Sequence, residues 1–226
     1  MQIFINMRQF LILFTLIITF GYYSQTNVII KNKLSINHGD ITLYLDDDTS
    51  TLVSKHIISY KNFKKIGTYD RCNCWFQESK KGKYIQSKYS KTGFDLGHLT
   101  PSHITSYDTI TNRYSFSMLN QAPQYAYFNQ HPWKNLEMNV EDSITKYKKD
   151  AIIITGVIYD ENNKKYLPNS RIKIPTHYYK IFVINKLTYV WLGVNADGKK
   201  NCVITNLSIT DLNKLFIKNK MRLLIK

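Results

Sequence analysis

The stretch "GFDLGHLTPSHIT", residues 93–105, decides how the rest of this chain is read. Asp95, Gly97 and His98 stand together, Thr100 and Pro101 follow, and a second histidine, His103, comes close behind. "FDL" has the character of a short strand leading into the histidine. A neutral imidazole accepts a proton near pH 7, so His98 is a candidate general base, its tautomer set by Asp95 or by the strand backbone. A single histidine beside an Asp-x-Gly turn serves packing as readily as chemistry, however. The decision rests on what accompanies it, and Leu96, apolar inside a polar cluster, also needs a reason.

The partners lie downstream. In "FNQHPWKNLEMNVEDSITKYKKD", residues 128–150, Trp133, Leu136, Val140, Ile144 and Tyr147 fall on one helical stripe. Pro132 is acceptable there only in the first turn, which puts the helix start at or near Asn129. The amide oxygen of Asn129 is a hard ligand of the kind Mg²⁺ accepts while keeping most of its waters. Glu137 follows eight residues later, two turns on and about 80° around the axis of a regular helix. From there it reaches the hydration shell of such an ion, or holds Asn129 and the neighbouring waters. Asn120, in the strand-like "YSFSMLNQAP" (114–123), adds another amide near the same corner. Alone, Asn129 is equally an N-cap and Glu137 a solvated charge.

Taken in order, "DLGHLTP", "SMLNQAPQ" and "FNQHPWKNLE" resemble the DNA/RNA non-specific endonucleases of the ββα-metal (His-Me finger) superfamily. Their pattern runs Asp-Arg-Gly-His, then Ser-Asn-x-x-Pro-Gln, then Asn-x-x-x-Trp-x-x-Leu-Glu. Weaker similarity covers "SKHIISYKN" and "CWFQE" upstream and "IIITGVIY" and "IPTHYYKIFV" downstream, so that it spans roughly residues 40–195. The resemblance implies that His98 is the base that activates water and that Asn129 is the direct ligand of one hydrated Mg²⁺, with Mn²⁺ able to substitute. It implies that Glu137 holds metal-bound waters and that Asn120 supports the site by hydrogen bonding. It also implies DNA and RNA as substrates, cleaved to 5′-phosphate and 3′-hydroxyl ends.

Two departures qualify the resemblance. Leu96 stands where the family carries arginine, and "CNCW" (72–75) stands beside the tryptophan where some members carry another. Lys91 and Lys134 are the nearby replacements for phosphate contact, but a lysine is a point charge and not a planar fork. An alternative reading is therefore a weakened or inactive nucleic-acid-binding protein on the nuclease scaffold.

Bulk properties agree with either reading. Lysine and arginine total 31 against 16 acidic residues among 226, a formal charge of +15, which favours polyanionic partners. An apolar fraction of 43% suffices for a core and excludes wholesale disorder. Residues 1–25 have the order of a secretory signal peptide: Arg8, an apolar run from Phe10 to Phe20, then Gly21, Ser24 and Gln25. The expectation is a secreted or periplasmic domain over residues 26–226, with no stable membrane partner once the leader is removed. A bridge between Cys72 and Cys74, two positions apart, would be strained, and in an oxidising compartment one of them could pair with Cys202 and leave an odd thiol, so the pairing stays open. Strands at 41–46, 56–62, 151–159, 174–184 and 187–194, a long central helix and a late helix near Thr210 or Asp211 predict an α+β domain. The sheet core is mixed or antiparallel, with a ββα-metal motif attached.

Overall fold

The computed structural model describes residues 28–30, 35–47, 50–78, 86–160, 162, 164–221 and 223–225. The leader expected at residues 1–25 lies outside them. Among the described residues no helix is long and apolar enough to cross a membrane.

Seven strands form the central sheet: β1 (Ser35–His38), β2 (Ile41–Asp47), β3 (Ser50–Ile58), then, after a separate hairpin of β4 (Phe94–His98) and β5 (Gln121–Tyr125), β6 (Ala151–Ile158), β7 (His177–Ile184), β8 (Leu187–Val194) and β9 (Ile204–Asn206). The order across the sheet is β9-β8-β7-β6-β3-β2-β1, and every neighbouring pair is antiparallel. The helices are α1 (Thr109–Ser115), α2, made of Ala126–Phe128, a π-helical turn Asn129–Trp133 and Lys134–Tyr147, and α3 (Ile209–Lys218). This is the expected α+β class.

The apolar pattern explains the layers. The central strand β7 is buried along most of its length, so its side chains alternate between two covered faces. Phe182 packs with Val140 and Ile144 of α2. Tyr179, one face over, meets Phe216 of α3 with ring centroids 5.1 Å apart. Helix α3 starts at Ser208, whose hydroxyl accepts from the Asp211 N–H, so the cap stands two to three residues before the expected Thr210 or Asp211.

The hairpin β4–β5 carries residues 93–105 into the structure, pairing His98 with Gln121 and Leu96 with Pro123. Asn195, at the end of β8, ties it to the sheet: its amide donates to the carbonyls of Pro123 and Pro175 and accepts from the Tyr125 N–H. Gly97 is required by close approach, because a Cβ there would run into the Gln124 side chain.

Four expectations need correction. The strand expected at 56–62 stops at Ile58, because Ser59 caps a helical turn, Tyr60–Phe63, by accepting from the Asn62 N–H. The stretch 114–123 is a strand only from Gln121, because residues 109–115 form α1, capped by Asp108, which accepts from the Thr111 N–H at 2.7 Å. The central helix begins at Ala126, not Asn129, and Pro132 lies inside it. The widened turn accommodates a ring that would otherwise strike the preceding turn. Finally, Cys72 pairs with Cys74 across a Cα–Cα distance of 5.1 Å, while Cys202 is free and donates to the Ala196 carbonyl. Asn73, left-handed at φ 49°, turns the chain between the paired cysteines.

Candidate active site

The edge of the β4–β5 hairpin and the first turns of α2 enclose an open cleft of about 650 Å³. His98, Asn129, Glu137 and Lys134 all line it, as do Leu96, Asp95, His103 and His131. Residues separated by up to 42 positions in the chain are thus gathered in one cleft, with one arginine beside them, Arg71.

The π turn explains how Asn129 and Glu137 share that wall. It inserts one extra residue into the helix, so the two sit as i and i+7 of a regular helix, about 20° apart around the axis instead of about 80°. Asp95 fixes the amide: its Oδ2 accepts from Asn129 Nδ2 and from Gln130 Nε2, both at 2.9 Å. The amide oxygen of Asn129 is therefore the end directed away from Asp95, which is the orientation a cation ligand needs. Asp95 does not reach His98, since three positions along a strand place side chains on opposite faces. Asp95→Ala removes the acceptor and is expected to lower kcat by about 10–100-fold. Steady-state assays beside a melting curve check this.

His98 lies between two aromatic rings, Trp75 at 4.7 Å and the fully buried Phe116 at 5.0 Å between centroids. Its Nε2 is buried and has no hydrogen-bond partner among the described residues, so the ring meets the cleft through Nδ1. Burial, reinforced by the Arg71 charge, pushes the imidazole down to about 3, and it is neutral at pH 7.

Arg71 was not anticipated. Its guanidinium lies over the Phe116 ring at 5.2 Å, and Asn112 of α1 holds the adjoining backbone by accepting from the Cys72 N–H at 3.1 Å. The Cys72–Cys74 turn then separates Arg71 from Trp75. The family's arginine is absent at Leu96, which packs beside Trp75 and Phe94. A guanidinium enters the same cleft from the other wall.

Glu137 keeps 22% of its side chain exposed, and its Oε1 lies 3.4 Å from the Nζ of Lys180. Burial raises the carboxyl above its ordinary value and the Lys180 charge opposes that rise. Asn120 stands off the cleft. Fully buried, it accepts from the Thr100 N–H and donates to the carbonyls of Thr100 and Ser115, so it braces the loop after His98 and touches nothing in the cleft. Lys91 sits in the turn before β4, outside the cleft lining, and Lys134 is exposed on the rim. His103 pairs with Glu141 at 3.0 Å on the same rim, and His177 bonds Thr176 away from it.

Two buried histidines set an acid limit on stability. His56, fully buried in β3, is pushed down to about 4 by burial. In the unfolded chain both His56 and His98 bind a proton below about 6.5, whereas the folded chain excludes it. Stability is therefore complete above that pH and is lost as pH falls toward 4. His56 alone accounts for about 3 kcal/mol of the loss. Thermal melts between pH 4 and 8 are expected to show this slope, reduced in His56→Gln.

Among the described residues no group of three or more His, Cys, Asp or Glu is placed to hold a metal. The donors present, one oriented amide oxygen and one carboxylate, fit a hard divalent cation that keeps most of its water.

The chain matches the DNA/RNA non-specific endonuclease family over residues 20–214. It is similar to the mitochondrial endonuclease G of Homo sapiens, 26% identical over 131 residues covering 52% of this chain and 44% of that protein. Nuclease C1 of Cunninghamella echinulata var. echinulata is 30% identical over 142 residues, 56% of each chain. The mitochondrial nuclease of Saccharomyces cerevisiae is 29% identical over 132 residues, 50% of this chain and 39% of that one. The chain spans about half the length of these relatives or less. One chain in the crystal structure of an EndoG/EndoGI complex has the same fold, with a TM-score of 0.64 and 20% identity over 80% of this chain and 82% of that one.

Proposed function

This chain belongs to the DNA/RNA non-specific endonuclease family, whose members are metal-dependent nucleases, and from that premise we propose that it hydrolyses phosphodiester bonds of DNA and RNA without sequence preference, using Mg²⁺. The observation that carries the proposal is the meeting of His98, Asn129, Glu137 and Arg71 in one open cleft. The formal charge of +15 supports capture of a phosphate backbone by charge, without base reading.

Asn129 and Glu137 are the residues that would hold the cation, Asn129 directly and Glu137 through its waters. When bound, the cation supplies positive charge against the leaving oxygen. His98 takes the proton of the attacking water at Nδ1, while Nε2 keeps the ring proton in the dry pocket against Trp75 and Phe116. An imidazole at about 3 is a weak base in the free protein. The anionic phosphate entering the cleft offsets the Arg71 charge and strengthens the base when it is needed. Arg71 grips a phosphate oxygen in the role that Leu96 cannot fill. Cleavage leaves 5′-phosphate and 3′-hydroxyl ends. The proposal includes removal of residues 1–25 as a leader and action of the 26–226 domain outside the cytoplasm.

The test is digestion of plasmid DNA and total RNA by the purified protein with and without EDTA. Cutting of both, abolished by EDTA and restored by Mg²⁺, is expected; undiminished cutting in EDTA contradicts the mechanism.

Leu96 favours a second reading, a binding protein that has lost turnover. Salt-sensitive DNA binding without cleavage in Mg²⁺, Mn²⁺ or Ca²⁺ is its signature. Leu96→Arg separates the two. If Arg71 already supplies the guanidinium, the change leaves kcat within about tenfold of the parent; if turnover has been lost, it creates cleavage where there was none.

A further inference from the structure

Lys180 is a charged side chain where an apolar one is expected. It lies in the middle of β7, 1% exposed, paired across the sheet with Thr155 on one side and Trp191 on the other. Its neighbour along the same face, Phe182, is ordinary core. A buried ammonium is costly unless it is paired, and replacing a buried ion pair by well-packed apolar residues is often neutral or stabilising. Stability alone therefore gives no reason for a lysine at this position.

Its contacts do give one. Nζ donates to Thr155 Oγ1 at 2.9 Å and to Glu137 Oε1 at 3.4 Å, and it lies 5.0 Å from the centre of the Trp133 ring. The ammonium is anchored from behind by a sheet residue, flanked by the indole and directed at one oxygen of the carboxylate. Glu137 has Glu141 one turn further along α2, and the two carboxylates and Lys180 line the same small void beneath the helix with Pro101, Ile104 and Ile153. Like charges at i and i+4 repel. Glu141 is drawn outward by His103, and Glu137 is drawn inward by Lys180.

We propose that Lys180 is the positioning residue for Glu137. Holding Oε1 from beneath the cleft, it turns Oε2 toward the reacting phosphate and the hydrated cation. The proposal rests on Glu137 belonging to the working site, and it goes further by making one buried cation of the sheet responsible for that carboxylate's orientation. Lys180 touches no substrate; it acts through Glu137 alone. Loss of Lys180 should then be felt in the chemical step and in cation affinity, and only while Glu137 is present.

The experiment is a double-mutant cycle on the full chain. Lys180→Met keeps an unbranched stem, one atom shorter, and removes the charge. Thr155→Val keeps the charge and removes its rear anchor. Each is made alone and with Glu137→Gln, and kcat and KM on plasmid DNA, the Mn²⁺ affinity by calorimetry and the melting temperature are measured. Lys180→Met is expected to lower kcat about 10–100-fold and to weaken Mn²⁺ binding by a similar factor, with KM for DNA nearly unchanged. In the Glu137→Gln background it should change neither further. Thr155→Val is expected to give a smaller loss of kcat that also vanishes in that background, so the idea stays testable if Lys180→Met does not fold. Wild-type kcat and Mn²⁺ affinity in Lys180→Met, with only the melting temperature lowered, overturn the proposal. So do losses that multiply unchanged in the Glu137→Gln background. Wild-type cutting by Glu137→Gln itself removes the role of Glu137, and the proposal falls with it; wild-type cutting by Lys180→Met beside an impaired Glu137→Gln removes the proposal alone.

Discussion

His98→Ala is expected to lower kcat by about 10²–10⁴-fold while leaving KM for DNA and the melting temperature near those of the parent. The ring is the one imidazole in the cleft held between two aromatic rings, with Trp75 and Phe116 leaving Nδ1 as its opening to the cleft. Its removal vacates a slot in which a water has no protein base to take its proton. His103 and His131 line the same cleft but do not replace it: one is bound to Glu141 and the other lies tilted against the Tyr127 ring at the rim. A structural histidine would give the opposite pattern, a lower melting temperature with activity preserved in the molecules that remain folded. The comparison is made by steady-state cleavage of plasmid DNA beside calorimetric melting of both proteins. It should be run above pH 6.5, where the buried histidines no longer tilt stability.

Arg71→Ala is expected to cost about 10²–10³-fold in kcat/KM, the scale for a lost transition-state contact. Arg71→Lys should recover only part, since an ammonium does not reproduce a planar, bidentate grip. Leu96 leaves the usual wall of the cleft without a cation and packs into an apolar cluster with Trp75 and Phe94. Arg71 faces that wall, parked on Phe116. Removing it also removes one of the two causes that depress the His98 imidazole, so the variant's imidazole is the stronger base in the free protein. The loss is thus expected in spite of a better base, which separates the phosphate contact from an indirect effect through His98. Chemical-shift titration of His98 in both proteins checks the second half of the statement.

The parts of the site that were legible in sequence are those set by short-range spacing. His98, Asn129 and Glu137 keep their place in the three motif blocks, and the structure brings all three to one cleft. The stripe of Leu136, Val140 and Ile144 is buried as its period implies. What escaped the reading depends on contacts between distant segments or on departures from regular geometry. Arg71 reaches the cleft because Asn112 of α1 holds the backbone at Cys72, and α1 itself was hidden in residues that look like a strand. The Asp108–Thr111 cap was the overlooked signal for it. A regular helix admits Pro132 only in its first turn; the π turn admits it further in, and by doing so swings Asn129 and Glu137 onto one face. Lys180 sits in a strand whose neighbours are all core, so nothing local marks it as a partner of Glu137.

Asn120 and Lys91 show how much of a residue's role depends on its place. Asn120 spends its whole amide on backbone groups of Thr100 and Ser115. Lys91 takes a left-handed turn before β4 and stays out of the cleft lining. A polar side chain read from sequence carries its donors and acceptors, but not the list of groups that have already claimed them.

The central claim is that this cleft cuts nucleic acid with a base from His98 and a cation held through Asn129. The most direct measurement is a divalent-cation titration of plasmid cleavage by the wild-type protein beside Asn129→Ala and His98→Ala. The wild type should be inactive without cation and saturate with Mg²⁺ or Mn²⁺. Asn129→Ala should need far more cation to reach a lower plateau, and His98→Ala should keep the wild-type midpoint at a much lower plateau. Equal midpoints and plateaus in all three proteins, or cleavage that ignores the cation, would contradict the account.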